Sequence, residues 1–271
     1  MIQGRFRREA ALIRDLMSDE EWAFFEPFVT RRGPHSGRRP QDHRRVLDGV
    51  FWIARTGAQW RDLPEFFGKW SSIYRQFRRW TLSGLWDLLL GVLNDTEGVG
   101  ETVQMIDSSV IRAHHCAAGA RGGTPRQGLG RSRGGFSTKI HLRTNGAGLP
   151  VAVDIAPGQA SDYTGALPLL DAEGPEPKVL LADRGYDSDA IRQAMETRGV
   201  TPIIPTRRSR KVQIAIDDHI YALRNRIERC FNRLKNWRRL ATRYDKTADS
   251  YLGFVLIAAV RLWMRAFVNR T

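Results

Sequence analysis

Two stretches of the chain, TVQMID (102–107) and KVLLAD (178–183), share one pattern in which an apolar run ends in an aspartate. Short apolar runs of this kind are typical of buried strands. If the two strands run parallel and close together in one sheet, Asp107 and Asp183 emerge at the same carboxyl edge, where open α/β folds build their sites. The pattern therefore predicts an α/β domain with an acidic site at one edge of its sheet.

Three further β-rich runs complete the predicted sheet: FSTKIHLRT (136–144), LPVAVDIA (149–156) and TPIIP (201–205). The first two follow TVQMID without an intervening helix, which suggests an antiparallel meander. Helical stretches at 161–172 and 187–199 separate the later strands and favour crossovers to a parallel pair. We therefore expect a mixed five-stranded sheet with flanking helices over residues 102–271.

The segment at 113–135 is rich in glycine and arginine and has almost no apolar periodicity. This composition predicts a mobile, cationic loop between the first two strands. The loop is either a plain linker or a contact for phosphate beside Asp107.

Residues 1–95 read as a separate helical domain. Ser18 and Glu21 have capping-box spacing before a first helix with Trp22, Phe25 and Phe28 on one face. Asp42 and Gly57 fit the cap and the stop of a second helix. The composition changes at 94–101, which we expect to be a linker.

A third helix at 71–84 places Ile73, Phe77 and Trp80 inward and directs a basic face outward. That face carries Tyr74, Arg75, Arg78 and Arg79. A helix, a turn and a basic helix form the pattern by which a recognition helix enters the DNA major groove, so the domain is predicted to be helix-turn-helix-like and to bind DNA. The alternative is a small helical bundle with a solvated arginine face.

The charge balance points to a polyanionic partner. The chain has 43 Lys and Arg against 29 Asp and Glu, a formal net charge of +14, and nucleic acid is the first candidate. The longest apolar run, at 251–260, is about half of what a membrane span needs, so we expect no membrane partner and a buried terminal helix. The charged start lacks the apolar stretch of a secretion signal, which favours a cytoplasmic protein.

The two cysteines and the neighbouring histidines do not have the spacing of a structural site. Cys116 and Cys230 lie far apart in the chain, outside any CxxC pair, so we expect free thiols. His114 and His115 precede Cys116 directly, and a run this tight gives poor tetrahedral geometry for zinc.

The stretch YALRNRIERCFNRLKNWRRL (221–240) holds one acid, Glu228, among seven arginines and lysines. In a helix, the apolar side chains Leu223, Ile227, Cys230, Leu234 and Trp237 line one side, and Glu228 lies on a polar stripe that faces away from them. That polar stripe comprises Tyr221, Arg224, Asn225, Glu228, Asn232 and Lys235. Glu228 is either an exposed acid paired with Arg224 or a third ligand beside Asp107 and Asp183.

Several stretches resemble the DDE transposases of bacterial insertion sequences, in the group with a Y-x2-R-x3-E-x6-K signature. Tyr221, Arg224, Glu228 and Lys235 fill that signature. Four further stretches are similar to the family and stand in its order: 60–80, 105–123, 134–142 and 181–192. The first fifteen or so residues have no obvious counterpart, so we expect the true start nearer Met17.

The resemblance implies a ribonuclease-H-like catalytic domain in which Asp107, Asp183 and Glu228 hold two Mg²⁺ ions, with Mn²⁺ as a substitute. It implies that the protein cleaves and transfers DNA strands at the terminal inverted repeats of its element, as a dimer or larger assembly on repeat and target DNA near the bacterial nucleoid. Arg224 and Lys235 would bind phosphates, and Tyr221 would stack on a displaced base. We also predict a DNA contact for Lys139.

Other acids and other functions remain open on the sequence. Asp187 and Asp189 fit the cap and first turn of a helix, and Asp154 and Asp162 lie on or after the third strand. The chain is alternatively a DNA nuclease of the same fold that does not join strands, or a DNA-binding regulator without enzymatic activity.

Overall fold

The computed structural model describes residues 16–29, 42–96, 102–120 and 122–268 of the 271-residue chain. Short 3-10 turns link several of the regular elements. The helices are α1 Asp19–Val29, α2 His43–Thr56, α3 Trp70–Leu82, α4 Leu85–Thr96, α5 Gly123–Arg126, α6 Ala166–Asp171, α7 Asp189–Thr197, α8 Asp218–Ala222, α9 Asn225–Lys235, α10 Arg238–Ala241 and α11 Ala248–Val268. The strands are β1 Val103–Ala113, β2 Gly130–Ser132, β3 Gly135–Thr144, β4 Pro150–Pro157, β5 Val179–Leu181, β6 Thr201–Ile203 and β7 Thr242–Arg243.

Strand β1 lies at the centre of one mixed sheet. On one side β1 pairs antiparallel with β3, which pairs antiparallel with β4; on the other side β1 pairs parallel with β5, and β5 with β6. The short strand β2 also pairs with β3, and β7 runs beside the end of β1. The predicted meander and parallel pair are therefore confirmed, and with them the ribonuclease-H-like α/β class preceded by helices. Among the described residues the sheet has seven strands and not the predicted five, because the short strands β2 and β7 also pair.

The predicted ends of the first two helices are confirmed. The backbone N–H of Ser18 donates to Glu21 Oε2 at 3.0 Å and that of Glu21 donates to Ser18 Oγ at 3.2 Å, which is a reciprocal capping box. Asp42 accepts from the N–H of Arg45 at the start of α2. Gly57 ends α2 with φ +69°, a left-handed conformation that glycine adopts without strain.

The basic helix α3 buries Ile73, Phe77 and Trp80, as predicted. Phe77 stacks on Phe254 of α11 with ring centroids 4.6 Å apart. One hydrophobic core includes buried side chains from the N-terminal helices, the sheet and α11. The division of the chain at residues 95 and 102 stays a prediction.

The predicted linker at 94–101 begins too early. Residues 94–96 belong to α4, and the buried amide of Asn94 donates to the carbonyl of Val151 at 2.9 Å. That hydrogen bond fixes the end of α4 against β4. Residues 97–101 lie outside the described part of the chain.

The segment at 113–135 has more regular structure than predicted. It contains a 3-10 turn, helix α5 and strand β2. The buried guanidinium of Arg243 donates to the carbonyls of Gly128 at 3.0 Å and Gln127 at 2.7 Å. Because Arg243 is more than 100 positions away in the chain, these hydrogen bonds leave no pattern in the sequence of the segment itself.

Helix α11 is the predicted buried terminal helix. Its stretch Ala248–Phe267 is long and apolar enough to cross a membrane by length and composition, but 78% of its apolar window is buried inside the protein. On α11, the indole Nε1 of Trp263 donates to the carbonyl of Pro150 at 2.6 Å. The apolar surface of α11 is therefore used in packing against the helices and the sheet.

Candidate active site

Asp107 lies in the middle of β1, so the prediction that it ends this strand is wrong. The parallel pairing with β5 stops at Met105 and Leu181, whereas the antiparallel pairing with β3 continues to Arg112. Asp107 and Asp183 each follow the last parallel pair by two residues. The two aspartates therefore lie at the carboxyl edge of the β1–β5 pair, as predicted.

Backbone amides orient both aspartates. Asp107 Oδ1 accepts the N–H of Ser108 at 2.8 Å. Asp183 caps a 3-10 turn, and its Oδ1 accepts the N–H of Gly185 at 2.7 Å. A carboxylate that accepts a backbone N–H has one oxygen fixed and the other available for a further contact.

Glu228 lies on α9, which is shorter than the predicted helix. The stretch 221–240 forms three helices, with a break at Leu223 and Arg224 where backbone hydrogen bonds tighten to the i to i+3 pattern. Ile227, Cys230, Leu234 and Trp237 are buried and Leu223 is half-buried, which confirms the predicted core face. The side chain of Glu228 is 54% exposed.

Arg224 connects Glu228 to the sheet. Its Nη1 donates to Glu228 Oε1 at 2.7 Å and its Nη2 to Asp107 Oδ2 at 3.4 Å. The pair with Glu228 that a surface helix would form is thus present, and the same guanidinium also reaches the first aspartate. One cation between two acids holds the helix acid beside the strand acid.

The site carries more negative charge than Arg224 balances. Burial raises the pKa of Asp107 to about 6 against the opposing effect of Arg224, and the charges of Asp183 and Glu228 raise it further. All three acids are therefore close enough to interact electrostatically. Burial also raises the pKa of Tyr221, and the charges of Asp183 and Asp107 add to that rise against the effect of Arg224.

A second polar cluster supports Asp107 from within the protein. Asp162 Oδ1 accepts from Ser108 Oγ at 2.5 Å and from Lys139 Nζ at 2.6 Å. Although burial opposes it, the hydrogen bonds of Lys139 and Ser108 lower the pKa of Asp162. Lys139 is buried and also donates to the carbonyl of Ala160 at 2.5 Å, so its ammonium is bonded within the protein. The DNA contact predicted for Lys139 stays a prediction.

The other competing acids have structural partners. Asp187 is buried and accepts from Arg192 and from the backbone N–H of Arg207. The predicted cap role of Asp187 is wrong, because Ser188 is the N-cap of α7 and accepts the N–H of Ile191. Asp189 lies in the first turn of α7, as predicted, and pairs with Arg210.

Asp154 lies on β4 opposite His141 of β3. His141 is fully buried, and burial lowers its pKa. Sequence reasoning gave no weight to Ser108, which links Asp107 to Asp162, or to Tyr186, which is fully buried within electrostatic reach of Asp107, Asp162 and Asp183. Ser108 directly follows Asp107, and Tyr186 lies three residues after Asp183. Neither residue belongs to a recognisable motif spacing.

The predicted DNA-contact residues lie on two surfaces. Lys235 is exposed at the end of α9, and Tyr221 is half-buried on α8. On α3, Arg75 and Arg79 are exposed, and the hydrogen bonds that they make to described residues go to Ser71 and Gln76 of their own helix.

Arg78 is more constrained than its two neighbours on α3. Its Nη1 donates to Ser250 Oγ at 2.7 Å at the start of α11. The guanidinium thus links α3 to the terminal helix.

The carboxylate oxygens of Asp107, Asp183 and Glu228 are chemically suited to bind a hard divalent cation. Carboxylate oxygens are the ligands that Mg²⁺ prefers, and the raised pKa of Asp107 marks a place where added positive charge is favourable. Within residues 16–29, 42–96, 102–120 and 122–268, no three His, Cys, Asp or Glu side chains converge as a ready-made metal site. Arg224 occupies part of that space, because it bridges Asp107 and Glu228.

Comparison with protein families matches residues 99–263 to the family described as "Transposase DDE domain" and residues 17–90 to one described as "Putative transposase of IS4/5 family". The first match spans more than half of the chain, so the chain belongs to the DDE transposase family. The predicted family is confirmed. These matches do not test the roles predicted for Tyr221, Arg224 and Lys235.

Two curated relatives illustrate the similarity. The chain is 38% identical over 128 residues to "Uncharacterized protein y4sN" of Sinorhizobium fredii, across 44% of this chain and 98% of the relative. It is 34% identical over 131 residues to "Putative transposase for insertion sequence element IS6501" of Brucella ovis, across 48% of this chain and 100% of the relative.

Solved structures with a related arrangement include a piggyBac transposase synaptic complex with hairpin DNA, at 12% identity and a TM-score of 0.47 over 96% of this chain and 73% of that one. The catalytic core domain of BIV integrase matches at 14% identity and a TM-score of 0.35 over 63% and 99%. Neither likeness adds to the family assignment, which rests on the sequence match.

Proposed function

We propose that the protein cuts DNA at the terminal inverted repeats of an insertion sequence and joins the cut ends to target DNA, with Asp107, Asp183 and Glu228 as its catalytic acids. The observation that carries the proposal is the arrangement of these acids. Two lie just beyond the last residue pair of the parallel β1–β5 pairing, at one sheet edge, and Arg224 ties the third to the first.

Asp107, Asp183 and Glu228 would hold the divalent ions, with Mg²⁺ the favoured ion and two ions in the site. When bound, such ions activate a water or a 3′-hydroxyl and stabilise the charge on the leaving oxygen of a phosphodiester. The backbone amides of Ser108 and Gly185 keep the two aspartates oriented for this task.

The cationic side chains around the acids would position the DNA. Arg224 has a planar fork of donors that matches a phosphate, and it would exchange its carboxylate contacts for the backbone of the transposon end. Lys235 lies on the same stripe of α9 and would contact a second phosphate. Tyr221 would offer its ring to an unpaired base.

The wider setting of the reaction follows from its chemistry. Two transposon ends must be cut and joined together, which favours a dimer or larger assembly on DNA. The exposed arginines of α3 would recognise the terminal repeat. We place the protein in the bacterial cytoplasm, at the nucleoid where its DNA lies.

One assay tests the proposal. The purified protein is incubated with Mg²⁺ and a DNA fragment that bears the terminal repeats of its element, and nicked and joined products are measured. We expect both products from the native protein, neither from Asp107→Asn or Asp183→Asn, and both from the control Asp189→Asn. Nicks without joined products would identify a nuclease, and DNA binding without nicks would identify a regulator.

A further inference from the structure

Helix α9 has a second cationic face beside the polar stripe that carries Glu228. We call that polar stripe, which comprises Tyr221, Arg224, Asn225, Glu228, Asn232 and Lys235, the catalytic stripe. At about 100° per residue, Arg226, Arg229 and Arg233 lie roughly 100 to 160° around the helix axis from Glu228. All three are exposed. The core side of α9, with Ile227 as an example, separates this face from the catalytic stripe on one side of the helix.

A surface groove of about 500 Å³ lies along this face. We name it the arginine groove and define it by its lining residues, which are Ala147, Arg226, Arg229, Asn232 and Arg233. The side chains that line it are cationic or neutral. Within the described part of the chain, no carboxylate forms an ion pair with any of the three arginines.

The turn between β3 and β4 fixes two of these arginines in place. Arg226 Nη1 donates to the carbonyl of Gly146, and Arg233 Nη2 donates to the carbonyl of Gly148 at 2.9 Å. Asn145 Oδ1 holds the turn itself, because it accepts the N–H groups of Ala147 and Leu149. Each guanidinium has five N–H donors, so most of them stay available to a ligand.

The turn and the helix are in direct contact at Gly148. This residue has φ +77°, and a Cβ there would come within 2.9 Å of the carbonyl oxygen of Arg226. Only glycine allows the turn to approach α9 this closely. The arginine groove is therefore built on a rigid junction, so that less ordering is needed when a ligand binds.

We propose that the arginine groove binds phosphates of the DNA backbone, as a second contact that borders the catalytic stripe at Asn232. This inference rests on the proposed function, because it assumes DNA as the ligand. Arg226 and Arg233 are about 10 Å apart along the helix axis at 1.5 Å per residue. Duplex DNA advances about 3.4 Å per nucleotide of one strand, so the groove spans about three phosphates.

The contact would be independent of base sequence. Guanidinium groups that bind phosphate oxygens fix the position of a duplex and do not distinguish bases. The groove would therefore bind target or flanking DNA as well as the transposon end. Three uncompensated cations on one helix face repel each other in the free protein, and a polyanion relieves that repulsion.

The test measures DNA binding as a function of salt concentration, without divalent metal, on two fluorescent duplexes: one with the terminal repeat and one of unrelated sequence. The main variants are the triple Arg226→Ala, Arg229→Ala, Arg233→Ala and the single Arg229→Glu. The single variant guards against misfolding, because Arg226 and Arg233, and not Arg229, make the described hydrogen bonds to the turn. Arg265→Glu, an exposed position on α11, is the matched control, and thermal melting verifies that each variant is folded.

The slope of log K against log salt is negative, and each lost phosphate contact should make it about 0.9 less steep. We expect the triple variant to make the slope about two to three less steep on both duplexes equally. Arg229→Glu should make the slope less steep by about one, and Arg265→Glu should leave the slope unchanged. An unchanged slope for Arg229→Glu would overturn the proposal, as would a loss confined to the terminal-repeat duplex.

The same preparations are assayed for Mg²⁺-dependent nicking, which separates the two proposals. Nicking by the native protein with unaltered salt slopes in the groove variants would refute the groove alone. Absence of nicking by the native protein would refute the proposed function, whereas the salt slopes would still decide whether the groove binds phosphate.

Discussion

The guanidinium of Arg224 lies 3.4 Å from the carboxylate of Asp107, although 117 positions separate the two residues in the chain. The same side chain contacts Glu228 at 2.7 Å. A residue predicted to bind DNA therefore pairs with two of the acids in the free protein. Release of these contacts would make both the acids and the arginine available when metal and DNA bind.

Arg224→Ala should separate DNA binding from metal binding. The loss of a charge-assisted contact to phosphate is worth about 1.5 to 3 kcal/mol, which corresponds to about ten- to hundredfold weaker binding of the cleaved end. Metal affinity should stay the same or increase, because Asp107 and Glu228 lose a competing cation. Calorimetric titration with Mn²⁺ and binding of the cleaved end measure the two effects.

Arg224→Lys is the matched control, since it keeps the charge and loses the fork of donors. Its end affinity should fall between those of the native protein and the alanine variant. Equal end affinity in all three proteins would exclude the proposed phosphate contact.

The arginines of α3 should divide into two groups. Arg75 and Arg79 are exposed, so the double alanine variant should weaken end binding and flatten its salt dependence without a loss of thermal stability. Arg78→Ala should lower the melting temperature, because Arg78 links α3 to Ser250 of α11. A salt slope that is unchanged in the double variant would favour the bundle with a solvated face.

Asp48 should make stability depend on pH between about 4 and 6. It is buried beside Arg261, Arg44 and Glu21 and accepts the N–H of Met17 at 2.8 Å, and burial raises its pKa to about 6. An acid whose folded pKa lies above its unfolded value of about 3.8 destabilises the protein above pH 6 and no longer does so below about pH 4.

Asp48→Asn should therefore be more stable than the native protein at pH 7.5, by up to about 3 kcal/mol for a shift of this size. The difference between the two melting temperatures should shrink as the pH falls to 5. A difference that is constant with pH would show that Asp48 ionises normally in the folded chain.

Local sequence patterns predicted much of the fold. The apolar runs at β1 and β5 end their parallel pairing two residues before Asp107 and Asp183, and the caps at Ser18, Asp42 and Gly57 depend only on neighbouring residues. Such signals are short in range, so they can be read without knowledge of the tertiary structure.

Long-range contacts determined what the sequence did not reveal. Arg243 orders the segment at 113–135 through contacts to Gln127 and Gly128, and β3 extends β1 beyond Asp107. The link from Ser108 to Asp162 spans 54 positions and lacks periodicity. The break at Leu223 was missed because Ala222, Leu223 and Arg224 are good helix formers and no glycine or proline lies beside them.

Asp162→Ala should destabilise the fold through Lys139. The variant leaves a buried ammonium without its carboxylate, which costs 3 to 5 kcal/mol for a fully buried pair. We expect roughly 2 to 4 kcal/mol here, because the Asp162 side chain is 35% exposed. Chemical denaturation measures the change.

Asp189→Ala is the control for Asp162→Ala, because its side chain is 85% exposed and its pair with Arg210 is on the surface. It should cost less than about 1 kcal/mol. Similar losses in the two variants would contradict the structural role of Asp162.

The most direct test of the three acids is Mg²⁺-dependent nicking by Glu228→Gln, with Glu196→Gln on α7 as the control. Glutamine keeps the shape of glutamate and removes its charge. We predict that Glu228→Gln loses nicking by orders of magnitude while it keeps its fold and binds the transposon end at least as tightly, because repulsion toward phosphate falls. Glu196→Gln should nick normally. If Glu228→Gln also nicks at the native rate, Glu228 is only the exposed partner of Arg224, and the catalytic role of the three acids is contradicted.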